Sequence, residues 1–273
     1  MSGGGSSPAA AGRRHRWAEY RTIEWPEWDP DQVIAILPTA AIEQHGPHLP
    51  VGVDMMINEG MLGTLCDTLP ADLDIRILPV QAVGKSNEHL DAPGTLTLTA
   101  ETALRAWVEI GLSVARAGLR KMVIVNSHGG NLDLIGIVAR ELRVQAGMMV
   151  VKCQWGGFGH PAGMYSAHEL AFGIHGGDVE TSLMLHFRPD LVDLARAENF
   201  ASSAETDAIA PTGPVSYGWM ARDLNPRGTV GNAAAASAEK GRATAAHQVA
   251  GFARMLAALR DAPLDRFAPA LGP

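Results

Sequence analysis

Residues Glu43-Gln44-His45-Gly46-Pro47-His48-Leu49-Pro50, followed by Asp54, place two carboxylates and an imidazole within one short stretch. In extended chain, residues two apart point the same way, so Glu43 and His45 can face one point while Gln44 faces away. Oxygen and imidazole donors converging on a point suit zinc, manganese or iron. A capped turn with polar surface residues would use the same residue types, so the stretch gains meaning only alongside others.

Three other stretches qualify. Asn126-Ser127-His128-Gly129-Gly130-Asn131 reads as strand, glycine turn, then helix. Its glycines allow either a phosphate cradle at a helix N-terminus or a sharp bend that projects His128 over a sheet. The lysine of a phosphate loop is missing, which favours His128 as a metal ligand; a buried structural histidine is the plain alternative. His175-Gly176-Gly177-Asp178-Val179-Glu180 again puts an imidazole on a bending backbone with a carboxylate close by. Helix capping would explain Asp178 and Glu180 but not His175. Gly84-Lys85-Ser86-Asn87-Glu88-His89 is polar enough to line a cleft, or to form an ordinary surface turn.

These loops need a frame. Apolar runs at Val33–Leu37, Ile75–Pro79, Met122–Asn126 and Met148–Cys153 read as buried strands. Between them, helices are expected over about Asp54–Leu69, Thr99–Ala117 and Leu132–Ala146, with Gly118 and Gly147 at helix ends. A further helix is expected from Asp178, as N-cap, to Phe187, and one closing helix from Ala233 to about Arg260. Alternation of strand and helix implies an α/β fold with a mostly parallel sheet, whose ligands lie beyond the strands' carboxyl ends. The aperiodic segment Ala201–Pro226 is long enough to suggest a functional or assembly role.

Composition narrows the class. At 47% hydrophobic and 19% charged, the chain can bury a core, so global disorder is excluded. A net charge of −7 argues against nucleic acid as partner. No apolar run is long enough for a membrane span. Cys66 and Cys153, both in apolar settings, are expected as buried free thiols. The Gly- and Ser-rich start, ending in Arg13-Arg14-His15-Arg16, lacks the apolar stretch of an export signal. It is expected to be a flexible tail over residues 1–16 of a cytoplasmic protein, ahead of a single domain over 17–265. A loose dinucleotide pattern at Gly157-Phe158-Gly159-His160-Pro161-Ala162 is set aside, since Pro161 and Gly163 interrupt the helix it requires.

Taken together, the four stretches resemble the creatininase family of metal-dependent amidohydrolases, as do Pro93-Gly94-Thr95, Gly228-Thr229-Val230-Gly231-Asn232 and Glu239-Lys240-Gly241. The resemblance implies a three-layer α/β/α fold, two divalent ions per chain (zinc, manganese or iron), a small-molecule amide substrate and a homo-oligomer, commonly a hexamer. It implies Glu43, His45, Asp54 and His128 as metal ligands, with Asp54 shared, and His175 as the proton-handling catalytic group. Ser86, His89 and Trp155 match substrate-pocket positions. The sequence departs from creatinine hydrolases proper where Gly129-Gly130 follows His128, since they carry Tyr-Glu there and that Glu binds metal. Glu180 is the expected replacement, as ligand and catalytic residue. The Gly-Gly form is similar to branches containing a formamide hydrolase and a peptidase that trims a small modified peptide. The resemblance thus implies hydrolysis of a non-peptide, cyclic or formyl amide, with peptide trimming as the alternative. The contrasting expectations are a metal-free protein holding a phosphorylated metabolite and, ranking last, a structural zinc protein, which would recruit cysteine.

Overall fold

The computed structural model of the protein describes residues 14–25, 29 and 31–265. Four strands form one parallel sheet: β1 (Val33–Thr39), β2 (Asp74–Ile77), β3 (Lys121–Asn126) and β4 (Met149–Gln154), in the order β2-β1-β3-β4. Helix α1 (Val53–Thr68) joins β1 to β2, α2 (Ala100–Arg116) joins β2 to β3, and α3 (Leu132–Ala146) joins β3 to β4. The chain steps one way from β1 to β2 and the other way from β2 to β3. Right-handed crossovers therefore put α1 on one face and α2 and α3 on the other.

Side-chain alternation in β1 builds both cores. Ile34 and Ile36 face α1 residues Met61, Leu62 and Leu65, whereas Val33, Ala35 and Leu37 pack with Trp107 of α2 and Val138 and Leu142 of α3. The first core is completed by Leu183 and Met184 of a later helix and by Val249, Phe252 and Leu256 of the last one. The result is the three-layer α/β/α architecture expected from the sequence.

Beyond β4 the chain forms α4 (Ala167–Phe172), α5 (Asp178–Phe187), a small antiparallel pair of β5 (Asn199–Phe200) and β6 (Gly231–Asn232), α6 (Ala221–Leu224) and α7 (Ala238–Asp261). The dinucleotide-like stretch is a 3-10 turn, Trp155–Phe158, with no helix until Ala167.

Three expectations are corrected. Asp178 is the first helical residue rather than the cap: Gly177 precedes α5, and the Asp178 carboxylate instead meets Lys240 Nζ at 2.5 Å and Ser182 Oγ at 3.0 Å. The closing helix does not begin at Ala233. Ala233–Ala235 form a separate 3-10 turn, and Ser237, accepting from the Lys240 N–H at 3.2 Å, caps α7. Arg14–Arg16, read as tail, are docked: the Ile77 N–H donates to the His15 carbonyl at 2.7 Å beside β2. The rest of that stretch, 1–13, lies outside the described residues. Cys66 and Cys153 are free and half-buried. Among the described residues, no helix is long and apolar enough to cross a membrane.

Candidate metal centre

The strand order reverses between β1 and β3, so the segments leaving their carboxyl ends sit side by side, where α/β sheets open a crevice. Glu43 and His45 lie in the segment after β1, and His128 lies two residues beyond the end of β3. Asp54, second residue of α1, and Glu180, third of α5, stand in first helical turns, where the helix dipole favours a carboxylate. Asn126 and Asn131 hold the loops in place. Asn126 Oδ1 accepts from Thr39 and Asn131, and the Asn131 amide donates to the Ala40 carbonyl while its oxygen accepts from the Lys85 N–H. A Cβ on Gly84 would overlap the Ala40 carbonyl, which explains a glycine at that crossing.

The five expected ligands meet. His128 Nδ1 lies 3.2 Å from Glu43 Oε2 and 3.4 Å from Asp54 Oδ2, and His45 Nε2 lies 3.5 Å from Asp54 Oδ1 and 3.8 Å from Glu180 Oε2. Among the described residues four compact donor groups result, each within 4.8 Å: Glu43–Asp54–His128 and His45–Asp54–Glu180, which share Asp54, and Glu43–His45–His175 and Glu43–Glu88–His89. The ring orientations are fixed from behind. His45 Nδ1 bonds the Glu43 carbonyl at 3.0 Å, and His128 Nε2 bonds the Lys85 carbonyl at 3.0 Å. In each histidine the outer nitrogen is therefore the donor to a carbonyl, and the inner nitrogen faces the donor group.

Two inward atoms, His45 Nε2 and Asp54 Oδ2, are buried and make no hydrogen bond. Buried polar atoms are nearly always satisfied, so a cation is the partner this donor set lacks, and the residues fit one. The electrostatics agree. Burial pushes the His45 imidazolium down, but Asp54, Glu180 and Glu43 outweigh it and hold its pKa at about 9. Burial opposes the His128 imidazolium too, yet Glu43, Asp54 and Glu88 raise it well above its ordinary value. Burial pushes Asp54 up, and His45 and His128 more than offset this, to about 2. Glu180 is lifted by burial to about 7, with His45 pulling down and Asp54 pushing up. The cluster demands positive charge.

His175 joins from the loop before α5, with Nδ1 3.6 Å from Glu43 Oε1. Burial, then His45 and His89, hold it well below the usual imidazole range, so it is neutral. Its Nε2–H donates to the Gln44 carbonyl at 2.7 Å, leaving Nδ1 as an acceptor at the site. His89 is the complement. Its Nδ1 accepts from the Gln44 side-chain amide at 2.8 Å, so its Nε2–H faces Glu43 Oε1 at 3.5 Å. Gln44 does face away from the donor groups, as the two-residue period requires, but that direction leads to both histidines and to the Gly228 carbonyl.

A cleft of about 660 Å³ opens over Glu43, His89, His128 and His175, walled by Lys85, Glu88, Leu132 and Ile174. Its far side comes from the aperiodic segment: Pro211, Thr212, Trp219 and Met220. Two positions inferred from the resemblance lie elsewhere. Ser86 is fully buried, and its hydroxyl donates to Glu43 Oε2, so it supports a ligand rather than touching a substrate. Trp155 is in the core: its indole N–H donates to Asn58 at 3.1 Å and its ring packs 4.9 Å from Phe252. Glu88 escaped the residue-level reading because it lies in a turn whose polar residues look like surface. Gln44 did so because nothing in the local sequence marks what lies behind the loop.

The creatininase family model, described as creatinine amidohydrolase, matches residues 18–256. A mycofactocin precursor peptide peptidase of Mycolicibacterium smegmatis is 31% identical over 224 residues, covering 81% of this chain and 83% of the relative. A creatinine amidohydrolase of Pseudomonas putida is 30% identical over 240 residues, covering 80% and 88%. A solved structure named Creatininase Mn superposes with a TM-score of 0.68 at 25% identity, covering 85% of this chain and 92% of that one. Matches that run through every loop of the centre, on the same fold, leave one assignment: this chain belongs to the creatininase family and is a hydrolase of amide bonds.

Proposed function

We propose that the protein is a dinuclear metal-dependent amidohydrolase whose substrate is an amide carried on an extended molecule, such as a short modified peptide. In this reading Glu43, Asp54 and His128 would hold one divalent ion, and His45, Asp54 and Glu180 would hold the other. The observation that carries it is the pair of buried, unbonded atoms, His45 Nε2 and Asp54 Oδ2, pointing into the space the two groups share. Carboxylate and imidazole donors suit zinc, manganese or iron. When bound, such ions polarise a carbonyl and lower the pKa of water towards about 7.

The chain's own groups supply the remainder. Nδ1 of neutral His175 accepts a proton and returns it to the leaving nitrogen, a role suited to an imidazole held in one tautomer. The Nε2–H of His89 provides a donor at the cleft floor. Glu180, anchored by the Gly176 N–H at 2.6 Å, keeps its carboxylate directed at Asp54 and His45.

A cleft of about 660 Å³ is in the range that takes drug-sized ligands, more than one small ring requires. Together with the peptidase relative, this favours a peptide-like amide. The second reading, a cyclic or formyl amide, is favoured by the creatinine amidohydrolase relative at 30% identity. A hydrolysis screen of the zinc- or manganese-loaded protein against creatinine, cyclic amides, formamides and short peptides decides between them. Turnover of peptides alone supports the first reading, and turnover of creatinine selects the second. A protein that retains no metal, hydrolyses nothing and binds phosphorylated metabolites would sink both. A homo-oligomer, the hexamer implied by the resemblance, belongs to this reading and is measured by light scattering.

A further inference from the structure

Gly130 stands where creatinine hydrolases carry a carboxylate, and the structure shows what fills that space. A Cβ on Gly130 would overlap Glu88 Oε1 and come within 2.5 Å of His128 Nε2 and 2.6 Å of the Lys85 carbonyl. The Lys85 carbonyl, being backbone, bars a side chain at 130, and Glu88 Oε1 fills the space beside it. Glu88 reaches the position from the 3-10 turn Asn87–His89, with Oε1 3.4 Å from His128 Nε2 and Oε2 3.3 Å from Lys85 Nζ.

We propose that Glu88 is the positioning residue of His128, a carboxylate behind the imidazole that sets how tightly the Glu43–Asp54–His128 group holds its ion. The inference rests on the dinuclear reading. Two carboxylates then serve the centre from different sides. Glu180 supplies an oxygen in the inner group with His45 and Asp54, and Glu88 supplies negative charge on the outer side of His128. The Lys85 carbonyl, 3.0 Å from Nε2, fixes the direction of the ring, and Glu88 beside it makes the ring a better donor. Lys85 Nζ holds the carboxylate in place from the cleft side.

The test is a chelator-competition titration of zinc on the full chain, comparing wild type with Glu88→Gln, Gly130→Ala and His128→Ala. The cobalt(II) absorption spectrum serves as a second readout of coordination, and melting of the metal-free proteins as a folding control. Loss of an outer partner of a ligating histidine costs roughly 10–100-fold in metal affinity. Glu88→Gln should weaken, by that factor, only the binding step that His128→Ala abolishes, with the metal-free chain still melting in one cooperative transition. Gly130→Ala, whose Cβ would press on His128 Nε2 and the Lys85 carbonyl as well as on Glu88, should weaken the same step at least as much. Wild-type affinity in both steps for Glu88→Gln overturns the proposal, whatever Gly130→Ala does. A wild-type chain that binds no zinc removes the dinuclear reading itself. Two zinc ions in wild type with an unaltered Glu88→Gln remove this inference alone.

Discussion

The side-chain amide of Gln44 donates to His89 Nδ1 at 2.8 Å, and that one bond decides which nitrogen of His89 faces the cleft. The Gln44 backbone carbonyl fixes His175 in the opposite sense, so a single residue presents one imidazole as donor and the other as acceptor. Gln44→Met keeps the bulk and removes the amide. We expect kcat on whichever amide is turned over to fall by about 10²-fold, the lower end of what a misplaced acid–base group costs, with zinc content unchanged. Steady-state kinetics alongside elemental analysis check this; loss of metal in step with activity would assign Gln44 to the ligands' support instead.

Asp54 is common to the two groups assigned to ions, Glu43–Asp54–His128 and His45–Asp54–Glu180, whereas Glu180 belongs to one. Asp54→Asn should therefore empty both positions, while Glu180→Gln should leave about one ion per chain. Metal counts on the purified variants distinguish shared from single use. Equal stoichiometry in the two variants contradicts a bridging Asp54.

Without metal, protons must neutralise the cluster. His45, held at about 9 against an ordinary value near 6.5, adds stability that is complete below about pH 6.5 and is lost as the pH rises through about 9. Glu180, raised to about 7, acts in the same direction between about pH 4.5 and 7. The chelated protein should consequently melt several degrees lower at pH 9 than at pH 6.5. Zinc should flatten that slope, because cation binding replaces the protons. Thermal melts across this range, with and without zinc, provide the measurement; a flat profile in the chelated protein argues against the charge balance described above.

Trp155 sits in the core with its indole on Asn58, so Trp155→Phe should act on stability and not on substrate binding. Leaving Asn58 Oδ1 buried without that donor costs about 1–3 kcal/mol, readable as a lower denaturation midpoint. KM should stay at the wild-type value. A raised KM with unchanged stability would return Trp155 to the pocket.

Much of this architecture is legible in the residues, for physical reasons. Parallel strands buried on both faces read as unbroken apolar runs, and β1 and β3 lie within two residues of those runs; β4, at the sheet edge, follows its run as closely although it is only partly buried. Helix α3 matches its expected limits because Gly147, in the left-handed region at φ 64°, marks its end. The cap of α5 was misread because Asp178 has a better partner in Lys240, sixty-two residues later, than in its own helix. The same distance effect applies to Trp155. A chain position identifies a residue but not the neighbour it turns to, and for Trp155 that neighbour is Asn58 on α1.

The candidate ligands follow β1 and β3 or open α1 and α5, whereas the opposite wall of the cleft is made by residues between 211 and 223 that take almost no regular structure. Reactivity and selectivity thus occupy separate parts of the chain. Rewriting a dozen or so residues of that irregular wall can retune which amide enters while leaving untouched the machinery that breaks it.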